Sequence, residues 1–257
     1  DIQQNLLFVF QPAEEGYGGA EKMLQTGFFQ KFNIQRAFAL HVSGKIPVGT
    51  VSSKKGYFFA NSEEIEIHYY AQGGHIAYPG LGKNALRAGV EFYQLFFKQL
   101  HLRYGSSDII CDFGKMNSGT AMNAIPSKCS LEGSLRSFNL AEHREVKNLL
   151  KKTAKEIVAK HKVKYQVKFG VFYTAVHNSE KIFNHFKQVV KQTEYEFFLA
   201  EKAYIGEDFG FFAQKYPGLI FWLGAADSQS NSDLHQSDFL PSDSALGVGL
   251  EIFYKLL

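Results

Sequence analysis

Leu6-Leu7-Phe8-Val9-Phe10-Gln11-Pro12-Ala13-Glu14-Glu15-Gly16 joins five consecutive apolar residues to two adjacent carboxylates. A short continuous apolar run of this kind predicts a strand covered on both faces, over residues 6–10. The glutamates then fall at its carboxyl end, the edge of an open α/β sheet where ligands bind. Neighbouring residues on an extended segment point opposite ways, so one glutamate can ligate a metal while the other faces a substrate as a base. Taken alone, the pair reads as readily as a solvated acidic turn, the commoner setting of glutamates.

Two histidines occupy comparable places. Arg36-Ala37-Phe38-Ala39-Leu40-His41-Val42 predicts an apolar strand that ends in His41. Gly218-Leu219-Ile220-Phe221-Trp222-Leu223-Gly224 predicts another, followed by a polar loop and Asp233-Leu234-His235-Gln236. A lone histidine at a strand end is more often a hydrogen-bonded core residue than a ligand. A carboxylate with two imidazoles, all at strand ends or in the loops that follow, is the donor chemistry of Zn or Mn sites that keep a position open for water.

The hydrophobic pattern divides the chain in three. Residues 1–60 hold the strand at 6–10, a helix over about 18–26, the strand ending at His41 and a strand over 49–53. From residue 61 the period changes. Glu64-Ile65-Glu66-Ile67-His68-Tyr69-Tyr70 alternates as a half-exposed antiparallel strand. A helix over 84–100, strands over 109–115 and 129–138, a charged helix over 141–160 and a strand over 163–169 follow. Strand, helix, strand, strand, helix, strand is the ferredoxin-like order, with helices on one face of an antiparallel sheet and the other face free. From about residue 172 the α/β pattern returns, with helices over 179–192, 207–214 and 242–256 around the strand at 218–223. The expected architecture is a three-layer α/β/α domain, residues 1–60 and 172–257, interrupted by an α+β lid over 61–171.

The 257 residues are 45% hydrophobic, enough to bury a full core, and the 25 phenylalanines and 13 tyrosines thicken it. A net charge of +3 is too mild for a nucleic-acid partner, and the lysines over 151–168 read as a solvated face of a helix and strand. No apolar stretch reaches membrane-spanning length, so no membrane partner is expected. Cys111 and Cys129 read as reduced, buried thiols of a cytoplasmic protein, on segments whose pairing would allow them to touch.

Gln11-Pro12-Ala13-Glu14-Glu15-Gly16, Ala39-Leu40-His41-Val42, Gly73-Gly74-His75, Met122-Asn123-Ala124-Ile125-Pro126, Gly206-Glu207-Asp208-Phe209 and Leu234-His235 follow one another in that order. The set resembles the M20 family of metallo-amidohydrolases, in its aminoacylase-like branch, over essentially the whole chain. The resemblance implies a catalytic domain with an inserted lid that joins two subunits, and hydrolysis of a small N-acyl amino acid. Asn5 to Phe10, Gly206 to Gly210 and Phe221 to Gly224 are similar to members acting on N-acetyl-L,L-diaminopimelate, which would give acetate and diaminopimelate on the route to lysine. A general aminoacylase or dipeptidase is the alternative.

The resemblance also implies roles. Glu14 would be the general base; Glu15, His41 and His235 would ligate two divalent metals of the Zn, Mn, Co or Ni kind. His75 would bind the oxyanion at the partner subunit's site, with Asn123 as an amide donor beside it. Arg136 would hold the substrate carboxylate with its two-pronged fork, or else be a surface residue of an exposed strand. Glu207 and Asp208 read either as a helix cap or as supports for a ligand histidine. Two departures from the family pattern stand out. At Tyr78-Pro79-Gly80 the histidine that often follows the proline is missing, which implies an altered pocket. The Cys-Gly-His-Asp type of segment that supplies a bridging ligand is also missing, so the chain reads as a fragment that binds metal poorly, is nearly inactive, and is at the limit a non-catalytic dimerising piece.

Overall fold

The computed structural model describes residues 4–228, 232 and 234–257. The strands are β1 (Ala37–Pro47), β2 (Thr50–Ser53), β3 (Gly56–Phe59), β4 (Asn61–Tyr70), β5 (Gly74–His75), β6 (Ile109–Ser118), β7 (Ala124–Ile125), β8 (Lys128–Ser137), β9 (Lys164–Tyr173), β10 (Val176–Asn178), β11 (Glu196–Leu199) and β12 (Gly218–Ala226). The helices are α1 (Gly19–Gln25), α2 (Ala85–Tyr104), α3 (Leu140–His161), α4 (Glu180–Val190), α5 (Phe209–Lys215) and α6 (Ser244–Leu256). They form two compact units. The first takes residues 1–60, 174–203 and 207–257; the second takes 61–173 together with 204–206.

The first unit is built on a mixed sheet of order β1-β12-β2-β11. β12 reads apolar throughout because both of its faces are covered. Leu219, Phe221, Leu223 and Ala225 pack with Val51 and the apolar sides of α4 and α6. Ile220 and Trp222 point the other way, into a cluster with Ala20 of α1 and Phe209 and Phe212 of α5. Helices therefore lie on both faces of the sheet, the three-layer arrangement. Each fully buried side chain of the size of Phe221 or Phe186 contributes about 1.5–3 kcal/mol.

Two expectations fail here. Residues 6–10 are not a strand, and their side chains are exposed, Phe8 by 75% and Phe10 by 89%. Apolarity shows that a segment gains by burial, but a buried strand must also find a neighbour for its backbone groups, and none of the described strands pairs with it. β1 likewise does not stop at His41. It continues to Pro47 because its register with β12 runs on through Ser43 opposite Gly224, so His41 is a mid-strand residue opposite Trp222.

The second unit has the order β6-β8-β4-β9, all antiparallel. Counted along the chain this is strand order 2-3-1-4 with α2 and α3 as the two connections, the ferredoxin-like topology. Alternation decides the faces. Ile65, Ile67 and Tyr69 of β4 and Leu131 and Leu135 of β8 meet Phe92 and Phe96 of α2 and Val146, Leu150 and Ile157 of α3. The interleaved Glu64, Glu66 and His68 and Glu132, Ser134 and Arg136 take the opposite face. Both helices start on asparagines: Asn84 Oδ1 accepts from Arg87 N at 3.1 Å, and Asn139 Oδ1 from Ala141 N at 2.8 Å. Cys111 and Cys129 are free, buried and apart. Their strands do pair, but Cys111 faces Leu135 while Cys129 faces Ser118. The two positions are seven steps apart along β6, about 23 Å at 3.3 Å per residue.

A charged group lies inside the second unit. Glu63 of β4 is only 4% exposed, and its carboxylate accepts from Lys147 Nζ at 2.6 Å and lies 3.2 Å from His143 Nε2. Ser137 Oγ, 3.0 Å from Nδ1, completes the environment of the buried imidazole. Burial pushes the Glu63 carboxyl up, but the His143 and Lys147 hydrogen bonds and the lysine charge outweigh it and hold the group below its ordinary 4.5. A depressed carboxyl adds stability above its unfolded pKa and loses it as pH falls through the folded one. The second unit is therefore expected to weaken below about pH 4.5. Glu63→Gln should cost about 1–3 kcal/mol at neutral pH and flatten that acid limb. Urea unfolding followed by NMR at amides of β4 and α3 reads both effects. An acid limb of unchanged slope in the variant would assign it to other groups.

Candidate functional site

The two glutamates sit on a turn over residues 14–17, closed by Tyr17 N donating to Ala13 O at 3.2 Å. Ala13 takes φ 59°, the left-handed region that a residue with a Cβ enters at a cost. Such a turn persists only when its surroundings hold it, and both of its flanks are held by one side chain. Asp208 Oδ2 accepts from Gln11 Nε2 at 2.7 Å, before the turn, and from Ala20 N at 2.9 Å, after it. Gly19 has to be glycine, since a Cβ there would overlap the Pro12 carbonyl. α1 thus begins against the incoming chain, and the turn is pinched outward between Gln11 and Ala20.

Asp208 is fully buried, and its Oδ1 has no hydrogen-bond partner among the described residues. Glu207, also buried, accepts from Phe209 N at 3.1 Å through Oε1. Of the two roles expected for this pair, Glu207 makes the cap-like contact at the start of α5. Asp208 instead ties α1 and Gln11 to it, a role the sequence did not suggest. Burial raises both carboxyls above their ordinary range, Asp208 in spite of the N–H groups of Ala20 and Gly19. Glu14, half-buried beside them, is pushed up to about 7. Burial is the largest cause, followed by the negative charges of Glu207, Glu15 and Asp208, with His41 opposing. A carboxyl near neutrality can both take and return a proton at physiological pH.

His41 comes to this cluster from β1. Its Nδ1 lies 2.9 Å from the Val42 carbonyl, and a carbonyl only accepts, so Nδ1 carries the ring proton. Nε2 is left with a lone pair, the arrangement of a metal-ligating imidazole whose other nitrogen is anchored to the backbone. The ring stands edge-on to Trp222 at 4.9 Å. Glu15, in contrast, is exposed.

The remaining expected residues lie elsewhere. His235 is exposed, with φ 62°, in a loop that packs the Ser232 carbonyl and the Phe239 ring on Gly44 of β1. Asp233, beside it in sequence, lies outside the described residues. Among the described residues no three His, Cys, Asp or Glu side chains form a group that could hold a metal ion. Glu15, His41 and His235 therefore do not make a metal site by themselves, although the protonation of His41 suits one. In the second unit, β5 pairs with β7, setting His75 against Ala124, and Ile76 N donates to Asn123 O at 2.9 Å, so His75 and Asn123 are neighbours. Arg136 stands on the helix-free face of β8, opposite Ser62 and Ile110. It is half-buried rather than a free surface residue: burial works against its charge and the Glu64 carboxylate supports it.

Comparison with known proteins identifies the family. The N-acetyldiaminopimelate deacetylase of Oceanobacillus iheyensis is 36% identical over 261 residues, covering 100% of this chain and 69% of that protein. A solved structure from methicillin-resistant Staphylococcus aureus shares the fold with a TM-score of 0.83 at 21% identity, over 96% of this chain and 64% of that one. A dinuclear metal-binding peptidase of the M20 family from Bacillus subtilis matches with a TM-score of 0.72 at 25% identity, over 96% and 62%. The chain thus spans roughly two thirds of the length of these relatives. The signature of peptidase family M20/M25/M40 matches residues 1–257, from end to end. The chain belongs to peptidase family M20/M25/M40.

Proposed function

We propose that the protein hydrolyses the acetyl amide of an N-acetylated amino acid, with N-acetyl-L,L-diaminopimelate as the substrate. The likeness to the Oceanobacillus deacetylase supports the substrate. The observation that carries the chemistry is the Glu14 carboxyl raised to about 7 among Glu15, Glu207 and Asp208. Glu14 removes a proton from water, whose oxygen adds to the acetyl carbon. The carbon–nitrogen bond then breaks, and Glu14 returns the proton to the departing amine, leaving acetate and diaminopimelate. A base of matched pKa contributes about 10²–10⁴-fold to such a step. His75 and Asn123 are the donors to the carbonyl oxygen, and Arg136 pairs with the substrate carboxylate. Divalent metals, which the Bacillus subtilis relative binds as a pair, are the cofactors of this reading. Glu15, His41 and His235 are their ligands, and these three do not suffice for a pair.

The lid joins two copies in this reading. β6 and β9 end its sheet, and an unpaired edge strand is a template for another chain. No helix among the described residues is long and apolar enough to cross a membrane. A second reading, a dimerising chain without catalysis, is favoured by the lack of a three-donor group among the described residues.

In the full-length protein, Glu14→Gln is expected to keep its metal content and lose turnover by about 10²–10⁴-fold. Glu15→Gln is expected to lose metal; elemental analysis beside a turnover assay separates the two, and metal loss in the first but not the second would reverse their roles. A panel of N-acetyl amino acids and dipeptides should show N-acetyl-L,L-diaminopimelate with the highest kcat/KM, and a higher value for another member would reassign the substrate. Absence of turnover on the whole panel by metal-loaded protein would favour the second reading. A mixed dimer of one Glu14→Gln and one His75→Ala subunit should recover activity above either mutant homodimer, since one of its two sites is intact. Activity at the mean of the homodimers would confine His75 to its own chain.

A further inference from the structure

His75 sits where the backbone decides which of its ring nitrogens can hold a proton. Gly73 at φ 68° and Gly74 at φ 153° bring the chain into β5 in conformations that side-chain-bearing residues rarely adopt. Gly73 N donates to Lys83 O at 3.3 Å, and a Cβ on Gly82 would overlap the Gly73 carbonyl, so the loop is closed tightly on itself. A turn follows at once, with Tyr78 N donating to His75 O at 2.9 Å. That turn folds the backbone back over the imidazole, and Ala77 N points at His75 Nδ1 at 3.1 Å. A backbone N–H only donates, so Nδ1 must offer its lone pair.

We propose that the Ala77 N–H, held by the turn over residues 75–78, keeps the proton of His75 on Nε2, making this ring a hydrogen-bond donor to a substrate oxygen and unfit to act as a base. The inference deepens the proposed function and rests on His75 taking part in it. The opposite tautomer would set an N–H against an N–H, while the proposed one gains a hydrogen bond, a bias on the order of tenfold. His41 is the mirror case within the same chain. The Val42 carbonyl holds its proton on Nδ1 and frees the lone pair of Nε2. One imidazole is thus set as an acceptor or ligand and the other as a donor, each by a backbone group one or two residues along. The His75 ring also lies near that of Tyr78, tilted to it with centroids 5.9 Å apart. A carbonyl oxygen or a carboxylate, both acceptors, is the ligand class that Nε2–H suits.

Long-range proton–nitrogen NMR correlation of the ¹⁵N-labelled full-length protein at neutral pH tests this directly, with the His75 signals assigned by their loss in His75→Gln. The expected pattern is a protonated Nε2 and a bare Nδ1. An even mixture, or a protonated Nδ1, overturns the inference whatever the kinetics. Ala77→Pro deletes the N–H and should lower the bias by roughly tenfold, while Ala77→Gly keeps the N–H and the bias. A bias unchanged in Ala77→Pro overturns the role of Ala77. Turnover adds a second arm. Glutamine places an amide N–H close to the Nε2 position and asparagine close to Nδ1, so His75→Gln should retain about tenfold more kcat than His75→Asn. If the NMR pattern is as expected and both variants turn over like the parent, the tautomer stands and it is the place of His75 in the reaction that falls.

Discussion

Asp208 is the residue on which the arrangement of the site depends. Its Oδ2 takes a side-chain N–H from Gln11 and a backbone N–H from Ala20, and it approaches them from the start of α5, almost two hundred residues later. A fully buried carboxylate is costly unless hydrogen bonds surround it, so once Asp208 is inside it fixes its donors in place. The segment between those donors, with Ala13 in the left-handed region, has little choice but to turn. Glu14 is then left half-buried against the same carboxylates. The constraint that shapes the turn is thus also part of the field that raises its base.

Burial alone does not decide what a buried carboxyl does. Glu63 and Glu14 both leave water, and both are pushed upward by that. Glu63 is met by Lys147 and His143 and stays below its ordinary value, a charged strut between β4 and α3. Glu14 meets three more carboxyls, with His41 in opposition, and ends near 7. Neighbours of opposite sign hold an ion and fix a structure, while neighbours of the same sign keep a proton on the carboxyl to higher pH. The second arrangement is a poor way to stabilise a domain. It is a good way to make a group that exchanges protons at neutral pH, which is why strongly raised carboxyls point to reaction sites.

Much of the fold is legible in the hydrophobic period. The alternation of Ile65, Ile67 and Tyr69, answered by Leu131 and Leu135, is the antiparallel sheet of the second unit, and the unbroken run from Leu219 to Leu223 is a strand with helices on both faces. Asn84 marks its helix start by its chemistry alone. What period cannot carry is pairing. Residues 6–10 have the same apolar signature as β12, yet they form no strand, since covering a face and satisfying an edge are separate requirements. Cys111 and Cys129 lie on strands that do pair, and the register, set by the whole ladder, moves them apart.

The site was legible in the same uneven way. Local chemistry pointed to Glu14, Glu15 and His41, and the structure brings these three together in one unit, while His235 stays exposed in a loop lodged on Gly44. The pairing of Asp208 with Gln11 left no trace in spacing, because a contact across such a distance in sequence is decided by the packing of α1 against α5 rather than by any local pattern. The protonation of the two histidines is a further step removed. Nothing in Ala39-Leu40-His41-Val42 or Gly74-His75-Ile76-Ala77 distinguishes an imidazole facing a carbonyl from one facing an N–H. That difference arises only from backbone direction. In a strand the histidine's own neighbour offers its carbonyl, and in a tight turn the residue two positions on offers its N–H. Since a neutral imidazole has one donor and one acceptor, the local fold has assigned each ring its chemistry before any ligand arrives.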